Sequence, residues 1–351
     1  MGILAADDEP SPTPFIVLAM VVPEKTLIAQ IRRAAKRTSS SPSSKNSAIQ
    51  TGIGDDCAIV RPPSSAGKPT DILITTDFAL EGIHFRRDWH SAESVGHRCL
   101  ARGLSDIAAM GGDPIAAFLS LALPRDLPQA WVQRFIRSLL SFGRKYGVTL
   151  AGGDTAESPH GILADIIVMG AVPKGKALLR SGARPGDRVY VSGKLGGSAA
   201  AVLALQNNLR RKLNPRDYPR HFFPEPRIQL GRTLREKKLA SAMIDTSDGL
   251  STDLAHICKE SGVGAELQAE AIPRASVGRP AHVVDLELAL HGGEDYELLF
   301  TAPNGKRIPE RIAGTRITAI GRITRGRGIL LKCGGSTHEL KPQGWEHFRK
   351  A

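Results

Sequence analysis

The sequence predicts an α/β (α+β) protein made of two domains, each with a mixed sheet. Its 351 residues are more than one hydrophobic core usually serves. Short apolar strands alternate with longer helical patterns in both halves, and acids at glycine-rich turns recur in both, which suggests a related architecture used twice. We expect a variable N-terminal extension over 1–22, an N-terminal domain over 23–172 and a C-terminal domain over 173–351.

The composition indicates which classes of binding partner the chain can have. The chain has 47 Lys and Arg against 35 Asp and Glu, a formal net charge of +12, with much of the basic excess in 207–240 and 306–350. No basic run is interleaved with aromatic residues, which make up only 5% of the chain, so we expect no nucleic-acid partner. The apolar stretch 15–22 is too short to span a bilayer and follows acids rather than positive charges. We therefore expect neither a signal peptide nor a membrane partner.

The four cysteines indicate a reducing compartment. Cys57, Cys99, Cys258 and Cys333 are far apart in sequence and form no Cys-x-x-Cys pair, which argues against a zinc site or a disulfide scaffold. We expect a cytoplasmic protein in which each cysteine is a small buried residue.

Hydrophobic periodicity gives the elements of the N-terminal half. An amphipathic helix is predicted over 23–36, followed by a Ser-rich, low-complexity segment over 37–50. Ser91 is the expected N-cap of the strongest helix. The further elements are strands 56–60 and 71–77, helix 91–111, strand 115–123, helix 128–146, and strands 148–151 and 162–172.

The C-terminal half follows the same alternation. Residues 173–187 are turn-rich and basic, which suits a domain boundary or a loop that faces phosphate. The glycine loop 193–201 enters a helix but lacks the Ser or Thr that a Walker A loop carries after its Lys, so we interpret it as ordinary helix–sheet packing. The further elements are strand 188–192, a proline-rich connector 213–226, helix 227–238, strand 242–245, helix 250–261, and strands 263–268, 296–301, 315–323 and 328–333.

Acidic residues stand repeatedly beside glycine, serine or threonine. These stretches are 52–56, 75–77, 104–106, 151–155, 245–249 and 292–296. A single acidic turn is usually plain surface, but the repetition in a basic chain predicts a centre where several Mg²⁺ ions hold a polyphosphate. Asp106 supports this prediction, because it lies beside the apolar stripe of its helix, where a carboxylate is costly unless a metal compensates it.

Taken together and in this order, the acidic motifs, with 82–85 and 180–187, resemble those of the thiamine-monophosphate kinase family. The resemblance covers about 24–348. It implies the fold of the superfamily of aminoimidazole ribonucleotide synthetase, with an N-terminal domain that dimerises. It also implies a homodimer that transfers the γ-phosphoryl group of ATP directly to thiamine monophosphate, giving thiamine diphosphate.

The resemblance assigns roles residue by residue. No general base is needed, because the acceptor phosphate is already anionic, and the only departure in the motifs is Gly103, where members usually carry Asn. The implied Mg²⁺ ligands are Asp56, Thr75, Thr76, Asp77, Asp106, Asp154, Asp245 and Asp248. The implied ATP contacts are Gly153, Asp154, Arg180 and Ser247, and the implied contacts to thiamine monophosphate are His84, Glu294 and Trp345. On chemical grounds, the aromatic face of Trp345 suits the cationic thiazolium ring, and Glu294 adds the opposite charge.

Three alternatives remain open. Another ATP-using member of the superfamily is the nearest, although a selenophosphate synthetase would carry a reactive Cys before the first acidic turn and a hydrogenase-maturation protein would end in a Cys-bearing tail. A basic nucleic-acid-binding module offers no reason for the acidic turns. A regulator without activity would have lost metal ligands, and none is missing from the motifs.

Overall fold

The computed structural model describes six stretches of the chain, namely residues 26, 29, 49–51, 55–61, 69–207 and 213–347. The helix predicted over 23–36, apart from positions 26 and 29, lies outside these residues, and so does 37–47. Within the described part, no helix has both the length and the apolar character needed to cross a membrane.

The first sheet has six strands in the order β1-β2-β3-β6-β4-β5. All neighbours pair antiparallel except β4 and β5, which are parallel, so the sheet is mixed as predicted. The strands are β1 (Ile49–Thr51), β2 (Ala58–Val60), β3 (Thr70–Leu80), β4 (Asp113–Leu123), β5 (Thr149–Glu157) and β6 (Leu163–Pro173).

Two helices, α1 (Ala92–Ala109) and α2 (Gln129–Lys145), belong to this half, and α1 packs on β3 and β6. The Ser91 hydroxyl accepts a hydrogen bond from the Ser94 amide at 3.2 Å, which confirms the predicted N-cap. A Cβ at Gly103 would lie 2.6 Å from Val168 Cγ2. Gly103 therefore lets the helix approach the sheet closely, which gives the departure from Asn a packing role.

The second sheet has eight strands in the order β16-β15-β9-β14-β7-β12-β8, with β13 pairing on β14. Only β9 and β15 pair in parallel, so this sheet is mixed too. The strands are β7 (Arg188–Ser192), β8 (Ala242–Asp245), β9 (Gly264–Gln268), β12 (Leu298–Ala302), β13 (Arg311–Ile312), β14 (Thr315–Thr324), β15 (Ile329–Cys333) and β16 (Ser336–Glu339), and a separate hairpin joins β10 (Ser276–Val277) to β11 (His282–Val283).

Five helices accompany this second sheet. They are α3 (Gly197–Asn207), α4 (Pro219–Phe222), α5 (Ile228–Glu236), α6 (Leu250–Ser261) and α7 (Leu286–His291). The fold thus confirms the predicted α/β class in both halves.

Helix α1 lies between the two sheets. Its buried residues Leu104 and Ile107 belong to the same apolar cluster as Met243 and Phe300 of the second sheet. A separate cluster, which includes Leu254 of α6, packs other residues of the second sheet. Because α1 contacts β8 as well as β3, residues on this helix can reach acids at the ends of strands from both halves.

Two local predictions were wrong. Residues 151–155 lie inside β5 instead of forming a turn, because the strand continues in parallel register beside β4 and its glycines tolerate the close approach. Cys333 is exposed, whereas Cys57, Cys99 and Cys258 are buried as expected. The predicted connector 213–226 contains the short helix α4. Periodicity detects neither α7, which is only six residues long, nor β16, which has no apolar residue.

Candidate active site

Three carboxylates from separate parts of the chain meet in what we call the acidic cluster, formed by Asp56, Asp106 and Asp245. One oxygen of each lies within 4.8 Å of the others. Asp56 precedes β2, Asp106 lies on α1 and Asp245 ends β8, so both sheets and the helix between them contribute. The sequence predicted all three as metal ligands, and the fold brings them together.

Burial and repulsion between carboxylates disfavour ionisation of Asp106 and Asp245. Burial, followed by the charge of Asp56, raises the pKa of Asp245 to about 8. Burial together with Asp77 and Asp245 also raises the pKa of Asp106 well above its usual range. Hydrogen bonds offset part of this cost, since Thr75 Oγ1 donates to Asp106 at 2.5 Å and Ser105 Oγ donates to Asp245 at 2.6 Å. The cluster therefore favours binding of positive charge.

Arg180 supplies one positive charge to this cluster. Its guanidinium donates to both oxygens of Asp56, with Nη2 at 2.9 Å and Nε at 3.3 Å. Its backbone amide donates to Asp55 at 3.2 Å. The basic loop 173–187 thus reaches the site, where Arg180 is paired with a carboxylate, and its contact with phosphate stays a prediction.

Strand β3 sends neighbouring candidates to opposite faces of the sheet. Thr75 and Asp77 face α1, whereas the hydroxyl of Thr76 donates to Asp165 on β6 at 2.6 Å. Side chains alternate along a strand, so three consecutive residues cannot all reach one centre. The structure therefore does not bring the Thr76 side chain to the acidic cluster. Asp77 Oδ2 is buried without a hydrogen-bond partner among the described residues.

Gly153 and Asp154 lie on the edge strand β5. Asp154 is in register with Ser120, which in turn is paired with Asp165, so by register Asp154 shares the face of the sheet opposite α1. Its carboxylate is exposed and accepts from the Thr155 amide at 2.8 Å. A Cβ at Gly153, which has φ +152°, would lie 1.8 Å from the Leu119 carbonyl oxygen, so only glycine fits there.

Two loops of the C-terminal half are joined by backbone hydrogen bonds. The Glu294 amide donates to the Ser247 carbonyl at 2.8 Å, and the Trp345 amide donates to the Asp248 carbonyl at 3.2 Å. Glu294 has a left-handed backbone with φ +64°, which is unusual for a residue with a side chain. The turn after β8 thus holds Ser247 and Asp248 beside the predicted substrate contacts Glu294 and Trp345.

The predicted substrate contacts surround two arginines of α1, and we call His84, Arg98, Arg102 and Glu294 the arginine cluster. Arg98 Nη2 donates to both carboxylate oxygens of Glu294 at 2.9 Å and to the His84 carbonyl at 3.1 Å. Arg102 lies 3.9 Å from Glu294. Although burial alone would raise the pKa of Glu294, the two arginines lower it to about 2. Two cations against one carboxylate leave this cluster positive.

The C-terminal segment completes this side of the site. The rings of His84 and His347 lie 5.4 Å apart, and those of His347 and Trp345 lie 5.5 Å apart. The side chain of Trp345 is 54% exposed, so its face is accessible. Burial and the charge of Arg102 lower the pKa of His84 to about 3, which keeps this imidazole neutral. Its Nδ1 accepts from the Leu80 amide at 3.0 Å, so the proton resides on Nε2.

Sequence reasoning missed Arg98 and Arg102. Asp55 and Ser105 lie within the acidic stretches 52–56 and 104–106 but were assigned no ligand role. Arginines in a helix usually lie on a solvated face, and here their significance depends on burial between two sheets. A usable signal was the spacing of four residues that places Arg98, Arg102 and Asp106 on one stripe of α1. Asp106 was already predicted to lie beside the buried stripe.

The glycine loop after β7 does not offer its amides to an external phosphate. The amides of Gly196 and Ser198 donate to Asp295, at 2.5 and 3.2 Å, at the N-terminus of α3. Burial raises the pKa of this carboxyl to about 7. The loop is thus a helix terminus capped by the protein itself, as its interpretation as a packing element predicted.

The donor set of the acidic cluster fits a hard divalent cation. All its ligand atoms are carboxylate oxygens, which suit Mg²⁺ better than softer metals. The unpartnered Oδ2 of Asp77 is a further buried acceptor, and Asp77 is close enough to Asp106 to contribute to its raised pKa. The residues present therefore fit the predicted magnesium.

Comparison with known proteins places this geometry in context. The family AIR synthase related protein matches with its N-terminal domain over 54–172 and with its C-terminal domain over 184–333. The thiamine-monophosphate kinase of Salmonella typhimurium is 40% identical over 311 residues, which cover 86% of this chain and 92% of that protein. The corresponding kinase of Escherichia coli strain K12 is 41% identical, with the same coverage.

A solved structure gives the same picture. AaThiL complexed with AMPPCP and TMP superposes with a TM-score of 0.78 and 32% identity, covering 94% of this chain and 99% of that one.

Proposed function

The chain belongs to the thiamine-monophosphate kinase family, and from this premise we propose that it transfers the γ-phosphoryl group of ATP to thiamine monophosphate, yielding ADP and thiamine diphosphate. The observation that carries the proposal is the adjacency of two oppositely charged clusters. Arg102 lies 3.8 Å from Asp77, beside the acidic cluster, and 3.9 Å from Glu294 in the arginine cluster. A metal-bound nucleotide at the acidic cluster and a phosphorylated cation at the arginine cluster would thus bind next to each other.

We propose that Mg²⁺ is held by Asp56, Asp106, Asp245 and Asp77, with Thr75 orienting Asp106. Bound Mg²⁺ would neutralise the charge of the phosphates, which is the main requirement of phosphoryl transfer. Asp154, Asp248 and Thr76 remain proposed ligands. For Asp154 and Thr76, the proposal requires ions on the sheet face opposite α1 or coordination through water or backbone oxygen.

The residues of the chain itself position the two substrates. We propose that Arg180, Ser247 and Gly153 contact ATP, with Arg180 exchanging part of its pairing to Asp56 for phosphate. Neutral His84 would donate from Nε2, and the exposed face of Trp345 would stack on the thiazolium ring. Glu294, which is paired with Arg98 and 25% exposed, remains a proposed contact to thiamine monophosphate.

No residue is required as a general base. The attacking atom is an oxygen of the acceptor phosphate, which is anionic at neutral pH. The new bond joins this oxygen to the γ-phosphorus of ATP, while the bond from the γ-phosphorus to the β,γ-bridging oxygen breaks and ADP leaves with the electron pair. The protein contributes position and charge.

We propose a homodimer formed through the face of the first sheet that faces away from α1. This face carries Ile72, Ile74, Ile167 and Met169, all partly exposed, and Phe78, which is 53% exposed. An apolar face of this kind suits burial against an identical copy. In this proposal the N-terminal domain, 23–172, supplies the interface, and the C-terminal domain, 173–351, supplies the turns around Asp245 and Glu294.

Light scattering after size exclusion tests the dimer. It should give twice the chain mass of 37.6 kDa for the wild type and a single chain mass for Phe78→Glu. A monomeric wild type would exclude this interface.

We also propose a cytoplasmic location, where free thiols and ATP coexist.

The activity assay combines purified protein, ATP, Mg²⁺ and thiamine monophosphate, followed by chromatography for thiamine diphosphate. EDTA and unphosphorylated thiamine serve as controls. We expect product only when both Mg²⁺ and the monophosphate are present, and no product would contradict the proposed function.

The hydrogenase maturation protein HypE in complex with ATP shares the fold, with a TM-score of 0.64, but at 16% identity this likeness concerns the fold alone.

A further inference from the structure

We infer that Arg102 is a catalytic residue of this chain that grips the acceptor phosphate of thiamine monophosphate during the transfer. The inference rests on the proposed function and adds a residue that neither the acidic motifs nor the predicted substrate contacts include. It identifies the phosphate, and not the rings of the substrate, as the group that this side chain recognises.

The position of Arg102 follows from helix geometry. Arg98, Arg102 and Asp106 are spaced by four residues and therefore lie on one stripe of α1. Arg98 binds Glu294 at one end of this stripe, and Asp106 belongs to the acidic cluster at the other. Arg102 thus lies between the place proposed for the substrate rings and the place proposed for the nucleotide phosphates.

The acceptor phosphate must occupy the same intermediate region. It is covalently attached to the part of the substrate that lies near Trp345 and Glu294, and its oxygen must reach the γ-phosphorus held at the acidic cluster. The guanidinium of Arg102 is 3.8 Å from Asp77 on one side and 3.9 Å from Glu294 on the other. Both distances are too long for hydrogen bonds, so these carboxylates hold the charge in place without using its donors.

Two donor atoms of Arg102 are unused. Its Nε and Nη1 atoms are buried and have no hydrogen-bond partner among the described residues. Buried polar atoms of a native protein are normally paired, and an unpaired guanidinium is especially costly. An anion with several acceptor oxygens would remove this cost, and a phosphate matches the forked donors of arginine.

Arg98 provides the contrast on the same helix face. Its Nη2 donates to Glu294 and to the His84 carbonyl, and its Nη1 donates to the His221 carbonyl. The side chain is only 5% exposed, whereas that of Arg102 is 16% exposed. Arg98 therefore serves to fix the loops, whereas Arg102 carries unpaired donors on a side chain that is partly exposed.

The proposed contact requires no proton transfer. Arg102 stays protonated throughout and donates hydrogen bonds to the acceptor phosphate while one of its oxygens attacks the γ-phosphorus. These bonds offset the repulsion between two anionic groups that must approach each other. Arg102 would thereby lower the barrier as well as strengthen substrate binding.

The test compares Arg102→Gln with wild type, using Arg134→Gln as the matched control. Arg134 lies on α2, half exposed, and pairs with Glu93 at 3.4 Å, away from both clusters. Steady-state kinetics give kcat and KM for each substrate. Calorimetric titration gives the affinity for thiamine monophosphate and for thiamine, which lacks the phosphate.

For Arg102→Gln we expect kcat/KM for thiamine monophosphate to fall about 10- to 100-fold, the range expected for loss of a charged hydrogen bond. The KM for ATP and the affinity for thiamine should stay near the wild-type values, while the affinity for thiamine monophosphate falls. Arg134→Gln should match wild type in every measurement.

Two results would overturn the inference. Unchanged kcat/KM would remove Arg102 from the reaction, and equal losses of affinity for thiamine and its monophosphate would show a merely structural role. If Arg102→Gln does not fold, Arg102→Lys decides by the same comparison, since it keeps the charge and loses the fork. A wild-type protein that forms no thiamine diphosphate would instead contradict the proposed function.

Discussion

The acidic cluster and the arginine cluster are built on the same helix but have opposite electrostatic problems. Asp106 lies near the C-terminal end of α1, and Arg102 and Arg98 lie about one and two turns before it, respectively. Burial, followed by repulsion from Asp77 and Asp245, raises the pKa of Asp106. Burial alone would also raise the pKa of Glu294, but the two arginines that face it lower the pKa instead. One cluster therefore requires cations and the other accommodates an anion.

The comparison shows that a site can lower the stability of the ligand-free protein and still be stabilised once its ligands are bound. Without ligand, burial and repulsion disfavour ionisation of Asp106 and Asp245, and the arginine cluster carries excess positive charge. Ligands of the opposite charge should therefore stabilise the fold. Two sheets and one helix fix the positions of these groups. Replacing one residue in each cluster should consequently have opposite effects on stability.

Asp106→Asn should have the largest effect on activity. Removing one ligand of the acidic cluster should lower kcat by about 1,000-fold, because the charge of the transferred group is then poorly neutralised. The ligand-free variant should be at least as stable as wild type, because repulsion with Asp77 and Asp245 is relieved. Steady-state kinetics and thermal unfolding check both outcomes. A kcat near the wild-type value would show that Asp106 is not a metal ligand.

Glu294→Gln should show the opposite pattern in stability. The ligand-free variant should lose about 3 kcal/mol of unfolding free energy, since the buried charge of Arg98 would lose its counter-ion. Chemical denaturation measures this loss, and Glu287→Gln serves as a control because Glu287 is largely exposed on α7. A Glu294→Gln protein as stable as wild type would mean that the ion pair contributes nothing to the fold.

Trp345→Ala should have a smaller effect confined to one substrate. Loss of the aromatic face should raise the KM for thiamine monophosphate about 10-fold and leave the KM for ATP unchanged. Stability should hardly change, because the side chain is about half exposed. An unchanged KM for thiamine monophosphate would exclude Trp345 from the substrate site.

The smallest expected effect is a pH dependence of stability in the ligand-free protein. The pKa of Asp245 is about 8 in the fold, so its native state holds a proton that the unfolded chain releases near its ordinary pKa of 3.8. This contribution to stability is complete below pH 3.8 and is lost as pH rises towards 8. Between pH 6 and pH 9, the Tm of wild type should fall by about 3 °C more than that of Asp245→Asn. Parallel curves for the two proteins would contradict the raised pKa.

The sequence predicted the acidic half of this site far better than the basic half. Asp56, Asp77 and Asp245 stand beside small residues at or near strands, a local pattern that is legible without a fold. Asp106 was recognised because a carboxylate beside an apolar stripe needs compensation. Arg98 and Arg102 carry no such local signal, because their burial arises only when the second sheet covers α1.

Strand geometry explains where the positions of Thr76 and Asp154 differ from the prediction. The alternation of β3 turns Thr76 away from Thr75 and Asp77, and residues 151–155 continue as an edge strand where their glycines suggested a turn. Register between β4 and β5 places Asp154, and register depends on pairing between strands that no single stretch of sequence specifies. The elements themselves, such as strand 188–192 and helix 250–261, were predictable from local periodicity.

The most direct test is a crystal structure with Mn²⁺ in place of Mg²⁺, a non-hydrolysable ATP analogue and thiamine monophosphate, read by anomalous scattering. We predict Mn²⁺ at Asp56, Asp106 and Asp245, the thiazolium ring beside Trp345, and the acceptor phosphate between the two clusters. Metal or substrate bound elsewhere on the protein would contradict the assignment of the two clusters to one phosphoryl-transfer site.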